Sequence, residues 1–210
     1  GCKMVRSFSA AQLAQVASTA SELRNEQFSR AVGLALRRHA RHMSVGGLAR
    51  VFDVAVALDL DTSARRDLLK RARDVVSSAK SHVQFANLLA SLARASADGR
   101  TLVERMESKE EGISMLTELS RLFVRTYAVS MDVRDRSQSA WALAKLGLGR
   151  DCECPEGMSE ALSGAMDEAA HVVQTAWAMS RLGIAFKASA VSTYLSKDAD
   201  TASLGTLPWA

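Results

Sequence analysis

The chain has 210 residues, 48% hydrophobic and 5% aromatic, with two prolines, three cysteines and a formal charge of +4. Alanine and leucine dominate and runs of alternating β-branched residues are missing, so the composition favours helices over sheets. Three cysteines are too few for a disulfide framework, and charged residues interrupt every apolar stretch well before the roughly 18 residues of a membrane span.

The opening GCKMVRSFSAAQ is basic and rich in Ser and Ala, which fits the tail of an organellar presequence. Next comes QLAQVASTASEL (12–23), whose Leu13, Val16, Ala20 and Leu23 lie at three- and four-residue steps, the spacing of one helical face. A second helix is predicted over 26–40. GLARVFDVAVALDL (47–60) then repeats the apolar spacing with Ala49, Phe52, Ala55 and Leu58. A helix follows over 62–79, with Asp61 or Thr62 as its N-cap. VQFANLLASLARA (83–95) is again apolar at helical spacing, and further helices are predicted over 99–112 and 113–131. SQSAWALAKLGL (137–148) and VQTAWAMSRLGI (173–184) are nearly the same phrase. Between them lie the loop 148–156 and a helix over 155–169, with Pro155 placed for its first turn. Gly147 and Gly183 sit where a helix wants a left-handed C-terminal residue. Periodicity is lost over 197–210, which reads as a tail after a helical repeat domain spanning 1–196, with no internal domain boundary.

These segments are copies of one unit. Taking the leucine of the phrase as a ruler, it falls at Leu23, Leu58, Ala95, Leu146 and Leu182, at intervals of 35, 37, 51 and 36 residues. The long interval holds the additional helix at 113–131. A period near 36 is the length of a helix–turn–helix unit stacked on its neighbours. The expected fold is therefore all-α, an α-solenoid of about five such repeats. Trp141 and Trp177, inside the repeated apolar stripe, are expected to pack in its core.

The string Trp141-Ala142-Leu143-Ala144-Lys145-Leu146-Gly147, with its partner Trp177-Ala178-Met179-Ser180-Arg181-Leu182-Gly183, resembles the first-helix signature of the octotricopeptide and heptatricopeptide-like organellar helical repeats. It is clearest in those two units and looser at 83–95, 47–60 and 12–23. The resemblance implies a protein of a mitochondrion or plastid that binds organellar RNA, or is built into an organellar ribosome. Such repeats often accompany a RAP domain, and none is visible within residues 1–210, which leaves room for a structural part of a larger particle.

The charge is uneven. From Arg24 to Lys80 there are twelve Lys and Arg against six Asp and Glu; from Asp151 to Ala210 there are three against eight. The candidate binding residues are Arg37, Arg38 and Arg41 at the end of one second helix, and Arg65, Arg66, Lys70, Arg71 and Arg73 along the next. Arg66, Lys70 and Arg73 fall at four- and three-residue steps and share a face. Second helices of neighbouring units lie side by side in a solenoid, so the two clusters are expected to form one strip that contacts phosphates. The acidic end is expected to meet protein.

No nucleophile elbow, P-loop, dinucleotide fingerprint or His-Glu-x-x-His sequence is present, so no enzyme, cofactor or small-molecule substrate is expected. Cys152-Glu153-Cys154 with a distant His171 or His82 lacks structural-zinc spacing, and no metal is expected. Glu107, Glu110 and Glu111 read as a solvated turn. The expectation is a non-catalytic RNA-binding or structural component of an organellar ribonucleoprotein. Its most specific form is a mitochondrial ribosome component contacting rRNA alongside other subunits. The alternative is a protein–protein scaffold or accessory subunit of a respiratory or ATP-synthase complex.

Overall fold

The computed structural model describes residues 8–23, 26–56, 58, 60–96, 99–162, 164–166, 169–186 and 191–192. The tail 197–210 and the opening residues 1–7 lie outside them. The described residues form ten α-helices and no strand. These are α1 (Ala10–Leu23), α2 (Glu26–His39), α3 (Val45–Val54), α4 (Thr62–Val75), α5 (His82–Arg94), α6 (Leu102–Arg105), α7 (Lys109–Leu122), α8 (Val133–Leu146), α9 (Met158–Ala161) and α10 (Ala169–Arg181). None is long and apolar enough to cross a membrane.

Local chemistry sets the helix starts. Ser44, Asp61, Ser81, Ser108 and Asp132 each stand just before a helix and accept a hydrogen bond from the backbone N–H three residues on. Each such bond satisfies one of the N–H groups that a helix start leaves free. Thr101 and Glu104 cap α6 reciprocally, with the Thr101 N–H donating to Glu104 Oε2 at 2.7 Å.

The two copies of the tryptophan phrase end in the same way. Gly147 N–H donates to Ala144 O (3.2 Å) and Leu148 N–H to Leu143 O (3.1 Å); Gly183 N–H donates to Ser180 O (3.3 Å) and Ile184 N–H to Met179 O (2.8 Å). Both glycines are left-handed, at φ 114° and 71°. A paired turn of this kind closes a helix and frees its chain to reverse, and only glycine adopts it without cost.

The helices pack on their neighbours in a row. α1 packs on α3, α3 on α5, α5 on α8 and α8 on α10, while α2 lies against α4 on one side of that row. One continuous apolar core runs along the row, with Leu13, Leu48, Leu88, Leu89, Phe85 and Leu143 excluded from solvent. Phe85 stacks on Tyr127 at 4.5 Å between ring centroids, and the Tyr127 hydroxyl donates to Ala79 O at 3.0 Å. Between α8 and α10, Ser137 Oγ and Thr175 Oγ1 share a buried hydrogen bond of 2.7 Å.

Three expectations need correction. The helix predicted over 99–112 is broken: α6 ends at Arg105, Met106 is extended, and Ser108 starts α7. Gly112 allows this break to fold flat, because a Cβ there would stand 2.5 Å from Val103 Cα. The additional helix predicted from 113 is the body of α7, which continues through one π turn (Phe123–Tyr127) and one 3-10 turn (Ala128–Ser130). The helix predicted over 155–169 shrinks to α9, since Gly157 and Gly164 both take positive φ, and Pro155 lies in the turn before it.

Candidate nucleic-acid interface

Burial on α2 and α4 decides where their charges go. α2 buries Val32, Gly33, Ala35 and Leu36, so Arg37 and Arg38 are left on the outer side. α4 buries Ala64, Leu68, Leu69, Ala72 and Val75, which leaves Arg66, Lys70 and Arg73 away from the core. The packing of α2 on α4 brings Arg37, Arg38 and Arg41 beside Lys70 and Arg71 across a groove of about 290 Å³. Asp67 and Asp74 line the same groove.

The eight candidate residues do not behave alike. Arg37 Nε meets Asp67 Oδ2 at 3.2 Å. The Lys70 ammonium donates to Glu107. Arg73 bridges Glu111 Oε1 (3.4 Å) and Asp74 Oδ1 (3.3 Å). Arg71 Nε donates to Met43 O at 3.0 Å, and Arg41 Nε to His42 Nε2 at 3.1 Å. Arg38 and Arg66 are exposed and make no ion pair among the described residues. Arg65 departs from the strip. It points into the crevice between Phe52, Leu92 and Leu102, where its Nε is buried without a hydrogen-bond partner among the described residues. One step along a helix turns a side chain by about 100°, so Arg65 and its neighbour Arg66 face different sides.

Glu107 and Glu111 were expected in a solvated turn; Glu107 lies exposed in the bend before α7, and both carboxylates also pair with α4. The hydrogen bond from Lys70, and then its charge, hold the Glu107 carboxyl below its usual range; the same contact raises Lys70. A signal for this was present in the sequence. Glu107 follows Lys70 by 37 residues and Glu111 follows Arg73 by 38, close to the repeat period, with opposite charges.

The tryptophans divide. Trp141 is 9% exposed, whereas Trp177 is 37% exposed and is not a core residue. α8 has α5 on one side and α10 on the other, while α10 ends the described row, so nothing described covers the outer side of Trp177. Each ring carries a cation from the next turn of its own helix: Lys145 Nζ is 5.0 Å from the Trp141 centroid, and the Arg181 guanidinium is 5.8 Å from that of Trp177.

The two described thiols, Cys152 and Cys154, are partly buried. Cys154 Sγ donates to Leu182 O at 3.3 Å, and burial raises both Cys152 and Cys154. Among the described residues no three His, Cys, Asp or Glu gather as a metal site would require. His82 Nε2 stands 3.9 Å from Asp135 Oδ2, with no nucleophile joined to the pair in the described structure.

No protein-family model matches this chain, and no curated protein does either.

Proposed function

We propose that the chain is a five-unit α-solenoid that binds RNA through the α2–α4 groove as a non-catalytic part of an organellar ribonucleoprotein, in its most specific form a mitochondrial ribosome subunit on rRNA. The observation that carries the reading is the meeting of two remote basic segments, 37–41 and 70–71, across one groove, with exposed Arg38 beside them and Arg66 exposed on the same helix as the second. Five cations against two carboxylates leave that groove positive. The organelle and the particle rest on the resemblance of the tryptophan phrase to organellar helical repeats. Phosphates are the ligands such a surface takes, and they position an RNA without reading its sequence.

The test is fluorescence anisotropy of a labelled single-stranded oligoribonucleotide with the whole chain across a salt series. Each phosphate contact contributes about −0.7 to the slope of log K against log salt for a single strand. Changing Arg38→Glu together with Arg66→Glu should weaken binding at all sequences and flatten that slope by about 1.4. Unchanged affinity in this double variant would remove the groove from the RNA surface. Sedimentation of organelle extracts with and without RNase tests the particle: release from ribosomal fractions under RNase is the expected result.

A second reading, as a protein–protein scaffold of a respiratory or ATP-synthase complex, draws on one observation. Arg37, Lys70 and Arg73 are already matched by carboxylates, so the strip is interleaved rather than continuous. RNase-resistant association with respiratory subunits would favour it.

A further inference from the structure

A second concave surface lies at the other end of the row, where α8 meets α10. It is a groove of about 370 Å³, and its floor and walls include Trp141, Trp177, Lys145, Arg181, Arg150 and Thr101. No carboxylate is among its described lining residues. Arg150 reaches it while paired with Glu104 Oε1 at 3.0 Å and Asp151 Oδ1 at 3.6 Å. Lys145 and Arg181 have no carboxylate partner among the described residues and lie over the indole rings instead.

The repeat makes this arrangement a doubled one. Trp177 and Arg181 repeat Trp141 and Lys145 at a distance of 36 residues, and both pairs face the same groove. Upstream, the equivalent positions are spent. Ala90 takes the tryptophan place on α5 and Asp53 takes it on α3, while Arg94, at the lysine place, donates to Asp53 Oδ1 at 2.6 and 3.0 Å. The face is thus closed by an ion pair at α3–α5 and open, aromatic and cationic at α8–α10.

The geometry points to the α8–α10 groove as a single-stranded RNA subsite, in which the half-exposed Trp177 ring stacks on an unpaired base and Arg181 and Lys145 hold the flanking phosphates. An aromatic plane beside Lys145 and Arg181, which no described carboxylate pairs, matches a nucleotide in both its parts, since a base offers a π-face and the backbone offers charge. Trp141, nearly buried, forms the floor rather than a second platform. This subsite rests on the RNA-binding reading above and lies away from the α2–α4 groove, so one strand would be held at two places along the row.

The experiment uses the whole chain in a Trp209→Phe background, so that tryptophan emission reports Trp141 and Trp177 alone. A labelled single-stranded oligoribonucleotide of mixed sequence is titrated, and emission and anisotropy are read together. Stacking should quench the emission as the anisotropy rises. Trp177→Ala should weaken binding roughly tenfold, and Trp177→Phe should restore much of it. Arg181→Gln should lower the salt slope by about 0.7. A helical circular-dichroism signal equal to the parent's identifies variants that remain folded. Binding that leaves emission and the Trp177→Ala affinity unchanged but falls with Arg38→Glu and Arg66→Glu overturns this subsite and keeps the α2–α4 reading. No binding at any salt overturns both. Quenching by an acidic peptide and not by the oligoribonucleotide also overturns it, in favour of a protein partner.

Discussion

The α2–α4 groove and the α8–α10 groove are both basic, and they reach that state in opposite ways. The first has many cations and spends much of its charge internally: Arg37 on Asp67, Lys70 on Glu107, Arg73 on Glu111. The second has three cations and no carboxylate among its described lining residues; Arg150 is paired with Glu104 and Asp151, and Lys145 and Arg181 rest on indole rings. Charge density along a chain is therefore a poor measure of charge available to a ligand. Stacked units bring residues about one period apart into contact, and where those residues are of opposite sign the surface neutralises itself.

The sharpest way to test the contrast is through its tryptophans. Trp141→Ala removes a ring held between two neighbouring helices and should cost about 3–5 kcal/mol in urea unfolding. Trp177→Ala, at the end of the described row, should cost well under half of that while costing more in RNA affinity. Equal stability losses would erase the distinction between floor and platform. A smaller effect should come from the first groove. Asp67→Asn releases Arg37 and should tighten RNA binding while steepening the salt slope by about 0.7, one additional phosphate. A weaker complex would mean that Asp67 orients Arg37 for its ligand rather than silencing it.

The smallest effect concerns the Lys70–Glu107 pair, which is solvent-exposed and screened by salt. The folded Glu107 value lies below 4.5, so its contribution is whole above 4.5 and is lost as the pH falls through the folded value. The folded Lys70 value lies above 10.5, so its contribution is whole below 10.5 and is lost as the pH rises through the folded value. The stability difference between the parent and Glu107→Gln should be flat between those limits and shrink outside them, read from urea midpoints. A difference that varies near neutral pH would assign the effect to another group.

Much of the helical order could be read from the residues because it is encoded locally. Asp61 caps α4, and Gly147 and Gly183 end their helices left-handed as their positions required. The errors came where local signals overlapped or where distance mattered. Residues 99–112 contain two capping sequences, Thr101-x-x-Glu104 and Ser108-x-x-Glu111, seven residues apart. Two N-caps cannot both lie inside one helix, so the stretch had to break. The periodicity of the tryptophan phrase marks an apolar face but says nothing of how many neighbours cover it, which is why Trp177 was misplaced in the core. Arg65 was misplaced by treating adjacent residues as one surface. The partners Glu107 and Glu111 were out of reach of any single-helix reading, because the contact exists only after the units stack.

The row of helices also carries a lesson about length. Leu146 follows Ala95 by 51 residues where neighbouring intervals are close to 36, yet α5 packs on α8 just as α8 packs on α10. The surplus is absorbed in α6, the lengthened α7 and its π turn, on the far side of the connection. That segment is an added layer of the fold, not a loop hung outside it. Its buried side chains, Leu102, Met115, Leu116, Leu119 and Phe123, join the common core, so the added length widens the interior at this point while α5 and α8 still meet directly.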